Sequence, residues 1–196
     1  MITVAGLVLA AGLVSYGGLV REPLPQDTGK SVTRDGVTLP RSVDVGGRTL
    51  ELNGTATRKK FIVKVYVAGL YLPTRETDAE KILAADEPRH LVMQFVHDVD
   101  KGKMCNAWNE ALANNTPDAS PELKSQFETL CGYMEDIKKG EQFVFSYLPG
   151  EGTRVDVKGT SKGTIPGKPF ADALFKAWIG PKPGPGEGFK KNLLGQ

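Results

Sequence analysis

The chain has 196 residues, 40% hydrophobic and 24% charged, which suits one ordinary globular domain with a sizeable core and excludes a disordered or fibrous chain. Its 25 Lys and Arg against 23 Asp and Glu leave a formal charge of +2, with the cations scattered, which excludes an electrostatic nucleic-acid binder.

The first run, "ITVAGLVLAAGLVSYGGLV" from Ile2 to Val20, carries no charge and is followed by the Pro/Gly-rich "REPLPQDTGK". It reads as a signal or anchor segment over residues 1–20, a linker over 21–35 and a folded domain over 36–196. The run lacks both a basic n-region and an A-x-A cleavage site, and it reaches the about 17–25 residues that span a bilayer. The expected location is exported: periplasmic, or anchored to a membrane through residues 2–20.

In "VTLPRSVDVGGRTLELNG", β-forming residues are broken by Gly46-Gly47 and by Asn53-Gly54, the punctuation of successive hairpins. Next, "TRKKFIVKVYVAGLYLP" opens on three cations and predicts one long strand over residues 59–72. Side chains alternate between faces along a strand, so Phe61, Val63, Val65 and Val67 are expected under the helices. Arg58, Lys60, Ile62, Lys64, Tyr66, Ala68 and Leu70 then share the other, mixed face.

Thr77 with Glu80 predicts a capping box that opens a short helix, "DAEKILAAD", ahead of Pro88. In "RHLVMQFVHD", Leu91, Met93 and Phe95 alternate with His90, Val92, Gln94 and Val96, which predicts another strand. His97, Asp98 and Asp100 cluster behind it, and Asp100 is best explained as the cap of the following helix.

Met104, Trp108 and Leu112 form one helical stripe. Leu123, Phe127, Leu130, Met134 and Ile137 form another, after the start signal Ser120-Pro121. Cys105 lies 12 residues before Pro117 and Cys131 lies 14 after it. With about 1.5 Å of rise per residue the two thiols sit at similar depth on an antiparallel helix pair. They are either two buried thiols or, in an exported domain, a disulfide. Neither lies at metal-ligand spacing, so no metal or cofactor is expected.

Two longer strands and a short one follow in "EQFVFSYLPGEGTRVDVKGTSKGTIPG", and Phe170, Leu174, Ala177 and Trp178 mark a last helix before a Pro/Gly-rich tail. The glycines match no phosphate-binding spacing, and no G-x-S-x-G occurs. The order β-β-β-α-β-α-α-β-β-β-α does not alternate as a parallel sheet requires, so the fold class is α+β: a mainly antiparallel sheet with helices on one face.

The run "LNGTATRKKFIVKVYVAGLYLP", with "FVHDVDKGKMCNAWNEAL", "FVFSYLPGEGTRVDVKG" and "GTIPGKPFADALFKAWIG", resembles the chalcone isomerase-like family, in particular its bacterial branch, over residues 36–195. The resemblance implies an open-faced β-sandwich, a large antiparallel sheet packed against a layer of helices with a ligand cleft between them. It also implies that Arg58 and Tyr66 reach into that cleft. At the second position the plant isomerases have Thr and the fatty-acid-binding relatives have Tyr. The helical Asn of the isomerases has only Asn106 and Asn109 as candidates, and their helical Tyr and late Thr or Ser have no match.

The implied function is non-catalytic binding of a fatty acid or similar amphipathic carboxylate, held by the guanidinium fork of Arg58 and the phenol of Tyr66. The alternatives are an isomerase (intramolecular lyase) of chalcone-like substrates and an envelope protein-interaction module.

Overall fold

The computed structural model describes residues 30–196; the apolar run and most of the linker lie outside the described residues. Within them the chain begins with two short strands, β1 (Ser31–Arg34) and β2 (Val37–Pro40), joined at Asp35-Gly36. Both turn residues take positive φ, 48° and 82°, as a two-residue I′ turn demands. Folded structure therefore starts inside the stretch expected as linker, because the Asp-Gly pair is itself a hairpin signal.

Seven strands follow in a strict antiparallel meander: β3 (Ser42–Val45), β4 (Arg48–Lys60), β5 (Val63–Leu72), β6 (Arg89–Phe95), β7 (Gln142–Leu148), β8 (Gly152–Val157) and β9 (Thr160–Ile165). The helices are α1 (Ala79–Ala84), α2 (Lys101–Asn115), α3 (Pro121–Tyr133), α4 (Lys168–Ile179) and α5 (Glu187–Leu193). The expected α+β class, with an antiparallel sheet under a helical layer, is what forms.

The main core lies between sheet and helices. Tyr66, Ala68, Leu70, Leu91, Met93 and Phe95 of the sheet meet Trp108, Phe127, Phe170, Leu174 and Trp178 of the helices, all buried. On the far face Val67, Tyr71 and Val92 pack with Val37 and Leu39 of the β1–β2 hairpin and with Val45 and Leu50. Apolar side chains are thus wanted on both faces of β5, which corrects the parity expectation. Tyr66, Ala68 and Leu70 lie under the helices with Val65 packed against them, Val67 lies on the far face, and Phe61 is exposed.

The expected long strand is also divided. Lys60 pairs with Val63, so the chain reverses at Phe61-Ile62 and the basic residues end β4 instead of opening β5. Asn53-Gly54, expected as a turn, lies inside β4 at a register shift. The Asn53 amide donates to the carbonyls of Glu76 (3.0 Å) and Leu193 (3.3 Å). A Cβ at Gly54 would sit 2.4 Å from the Asn192 carbonyl oxygen, so glycine is there to let α5 approach the strand.

Two helix limits move. Asp78, not Thr77, caps α1, its carboxylate accepting from the N–H groups of Glu80 (2.9 Å) and Lys81 (3.3 Å). The α3 helix stops at Tyr133, and Ile137 instead exchanges two backbone hydrogen bonds of 2.9 Å with Val99. Asp100 caps α2 and Ser120 caps α3 with Pro121 behind it, as expected. The supposed tail holds α5, whose Phe189 and Leu193 are buried against the core. Glu187, Phe189 and Leu193-Leu194 after Gly186 are the helical signal that the flanking Pro and Gly residues obscured.

Cys105 and Cys131 lie on the facing helices α2 and α3 as half-buried free thiols, Cys105 Sγ donating weakly to the Cys131 carbonyl at 3.6 Å. Burial, with a smaller part from Cys105, pushes the Cys131 thiol up to about 12, so it is protonated at neutral pH.

His90 on the far face shares a 2.8 Å hydrogen bond between its Nδ1 and Ser146 Oγ. Burial, helped by the Arg154 cation and opposed by Asp156, lowers its pKa from 6.5 to about 4. The unfolded chain therefore takes up a proton that the folded chain refuses. This contribution to stability is complete above the unfolded value of 6.5 and is lost as pH falls towards 4. Urea unfolding is expected to show a loss of about 2 kcal/mol between pH 7 and pH 5 that His90→Gln largely abolishes. An equal pH slope in that variant would refute the assignment.

Candidate functional site

A cleft of about 660 Å³ opens between the β4–β5 end of the sheet and the helices α2 and α4. That size falls in the roughly 300–1,000 Å³ range of small-molecule sites. Its floor is largely apolar: Val65 and Met93 from the sheet, Met104, Trp108 and Ala111 from α2, Ala177 and Trp178 from α4. The α2 stripe of Met104, Trp108 and Ala111 faces inward, flanked in the cleft wall by Lys103, Glu110 and Asn114 of the same helix.

Arg58 and Tyr66 both line this cleft. They are brought together by strand pairing: the β4–β5 hairpin sets Arg58 directly opposite Tyr66. Directly opposed residues share one face with Cβ atoms about 5 Å apart. Two residues eight apart in the chain thus become lateral neighbours, with the cation nearer the open end.

Tyr66 is only 8% exposed, and its ring is held by Phe95 at 5.5 Å and by Phe189 of α5 at 5.9 Å. Its hydroxyl accepts a hydrogen bond from Trp178 Nε1 at 3.2 Å. Among the described residues the phenolic proton has no acceptor. Burial raises its pKa to about 12, against smaller opposing effects of the Trp178 hydrogen bond and the Arg58 charge. At neutral pH the group is therefore a hydrogen-bond donor and not a phenolate.

Arg58 Nη1 donates to the Gly184 carbonyl at 2.7 Å, which ties the Lys182–Pro185 segment across one side of the cleft. The other N–H groups of its fork make no hydrogen bond among the described residues. Among the described residues the buried Trp108 Nε1–H also lacks a partner. Arg58 and Tyr66 thus bring hydrogen-bond donors with unused bonding capacity to the wall of a largely apolar cleft, an arrangement that suits an acceptor group carried on an apolar body.

The remaining sequence candidates are placed elsewhere. Asn106 and Asn109 lie on the exposed side of α2 and do not line the cleft, since Met104, Trp108 and Ala111 take the inward positions. The asparagine in the wall is Asn114. Its neighbour Asn115 braces the same segment, donating to the Lys182 carbonyl (2.9 Å) and accepting from the Lys182 N–H (2.8 Å). His97 is exposed at the rim. Asp98 accepts from the Lys139 N–H (2.9 Å) and from Lys138 Nζ (3.2 Å), an arrangement that ties two loops together. No cluster of potential metal ligands occurs among the described residues.

Sequence reasoning treated Trp108 and Trp178 as core alone. The indole N–H is the signal it did not use, because a buried Trp needs a partner for that group.

A family model described as chalcone isomerase-like matches residues 31–195. The chain belongs to the chalcone isomerase-like family. Among solved structures, a fatty-acid binding protein of Arabidopsis thaliana superposes with a TM-score of 0.65 at 17% sequence identity, covering 84% of this chain and 95% of that one. At that identity the likeness shows the chalcone isomerase-like fold. No curated protein sequence matches the chain. The family match begins at β1, consistent with the first hairpin being part of the domain.

Proposed function

We propose that this domain is a non-catalytic binder of a fatty acid or similar amphipathic carboxylate. The observation that carries the reading is the cross-strand pair Arg58–Tyr66, which presents a guanidinium fork and an unpaired phenolic proton at one end of an apolar cleft. The carboxylate takes two hydrogen bonds from Arg58 and one from Tyr66, while the acyl chain lies along Met93, Met104, Trp108 and Ala177. The likeness to a structure titled a fatty-acid binding protein supports the reading.

A protonated phenol beside a cation holds a bound anion in place and offers no base. The apolar run over residues 2–20 supports an exported or membrane-anchored location in a bacterial envelope. There, oxidation would join Cys105 to Cys131 across α2 and α3.

The test is organic extraction of the purified full chain followed by mass spectrometry, with titration of the delipidated protein by long-chain fatty acids. Co-purified acyl carboxylates and saturable binding are expected. Sustained turnover of a chalcone above the uncatalysed rate, or no saturable binding of any fatty acid, would overturn the reading.

A further inference from the structure

The reversal between β4 and β5 carries Phe61 at 92% exposure and Ile62 at 94%, with Val63 at 42%. These are the exposed large hydrophobic residues among the described ones, and they are consecutive. Single exposed apolar side chains are ordinary; a contiguous pair at the apex of a hairpin marks an interaction site. Phe61 also holds φ at 55°, a left-handed conformation that glycine or asparagine adopts at less cost than a bulky residue. Turn formation alone does not explain a phenylalanine there.

The flanking residues decide what the tip meets. Lys59, Lys60 and Lys64 are exposed, and Arg58 lies one residue further down β4. The acid facing them is Asp35, which accepts from Lys64 Nζ and from Thr57 Oγ1. The tip is thus a small convex apolar wedge inside a collar with excess positive charge. A stable protein interface needs about 800 Å² on each side, preferably flat or concave with a polar rim, and two apical side chains do not provide it. A lipid surface requires no matching shape. Aromatic and aliphatic side chains enter the headgroup–acyl boundary, and each nearby Lys or Arg adds attraction towards anionic lipid.

We propose that the β4–β5 tip docks on an anionic bilayer, with Phe61 and Ile62 in the upper acyl layer and Lys59 and Lys60 against the lipid phosphates. No helix among the described residues is long and apolar enough to cross a membrane. Lys60, Phe61 and Val63 also line the cleft, so docking the tip sets the cleft mouth on the lipid surface. A ligand drawn from the bilayer would then reach Arg58 without crossing water. The docking itself stands whether or not the cleft takes an acyl chain.

The test uses the full chain with Phe61→Trp as a reporter at the tip, since Trp108 and Trp178 are buried and give a constant background measured on the wild type. Vesicles of phosphatidylglycerol with phosphatidylcholine, acyl-brominated near the headgroup, are expected to shift the new emission to the blue and quench it. Lys59→Glu with Lys60→Glu is expected to reduce the quenched fraction by roughly tenfold, as is replacing the vesicles with pure phosphatidylcholine. Ile62→Trp provides the same reading at a position of ordinary φ if the first variant perturbs the turn.

A chain held to vesicles only by residues 2–20 leaves the tip emission unchanged, and that outcome overturns the proposal. So does quenching indifferent to lipid charge and to the lysines. An unchanged emission in vesicles that shifts on adding a purified protein partner would assign the tip to protein docking instead.

Discussion

Arg58→Ala is expected to weaken the binding of a long-chain fatty acid by about 10- to 100-fold, measured by isothermal titration calorimetry on delipidated protein. A charge-assisted hydrogen bond contributes about 1.5–3 kcal/mol, and each 1.4 kcal/mol is about tenfold in affinity. Arg58→Lys keeps the charge and loses the fork, so an intermediate affinity is expected. Tyr66→Phe weakens binding less, and it also lowers stability, because the Trp178 indole N–H is left buried without its acceptor.

The two readouts separate head-group recognition from packing. Each buried methylene is worth about 0.8 kcal/mol, so on the proposed reading chain length is expected to dominate total affinity and Arg58 to set which end of the ligand lies outward. Unchanged affinity in Arg58→Ala, with the fold intact by circular dichroism, would remove the head-group assignment.

The largest effect on stability is expected at the other end of the helical layer. Arg89 is 1% exposed, donates to Asp172 Oδ1 at 2.6 Å and stacks over the rings of Tyr147 (4.8 Å) and Phe175 (5.2 Å). Its Nε and Nη1 are buried without partners. Asp172 also accepts from Lys168 Nζ at 2.6 Å, and Lys168 in turn reaches the Leu83 carbonyl, so the carboxylate fastens α4 to both β6 and α1.

Asp172→Ala strands a buried guanidinium and is expected to cost about 3–5 kcal/mol in urea unfolding. Arg89→Met is expected to cost much less, because it removes the charge together with its two unmatched N–H groups and keeps a side chain that fills the space between the rings. Equal costs for the two variants would show that the Arg89–Asp172 pair is itself net stabilising and that the stranded charge is not the source of the loss.

Some elements were legible because their signals are local. The Asp100 and Ser120-Pro121 caps, the α2 stripe of Met104, Trp108 and Leu112, and the alternation of Leu91, Met93 and Phe95 all depend on side chains within a turn or two of each other. These repeats were sufficient for the α+β class. Other elements were misread because the deciding partner is remote in sequence. Asn53-Gly54 looks like a turn until α5, some 140 residues later, is seen to need the missing Cβ. The hairpin at Phe61-Ile62 carries no Gly, Asn or Pro, so nothing local marks the reversal.

Parity along β5 failed for a related reason. An apolar/polar alternation tells core from solvent only when one face is wet, and here the β1–β2 hairpin covers the second face.

By itself, then, the sequence determined the composition of the domain, its antiparallel α+β class and, through a family resemblance, the pair Arg58 and Tyr66. Only the tertiary structure decided how that pair meets: across a hairpin as opposed neighbours, with Trp178 on the phenol and Gly184 on the guanidinium. The physical reason is that hydrophobic periodicity reports where a side chain points within its own element. Which donors are left without an acceptor depends on contacts between β4, α2 and α4, and those are set when the whole core closes.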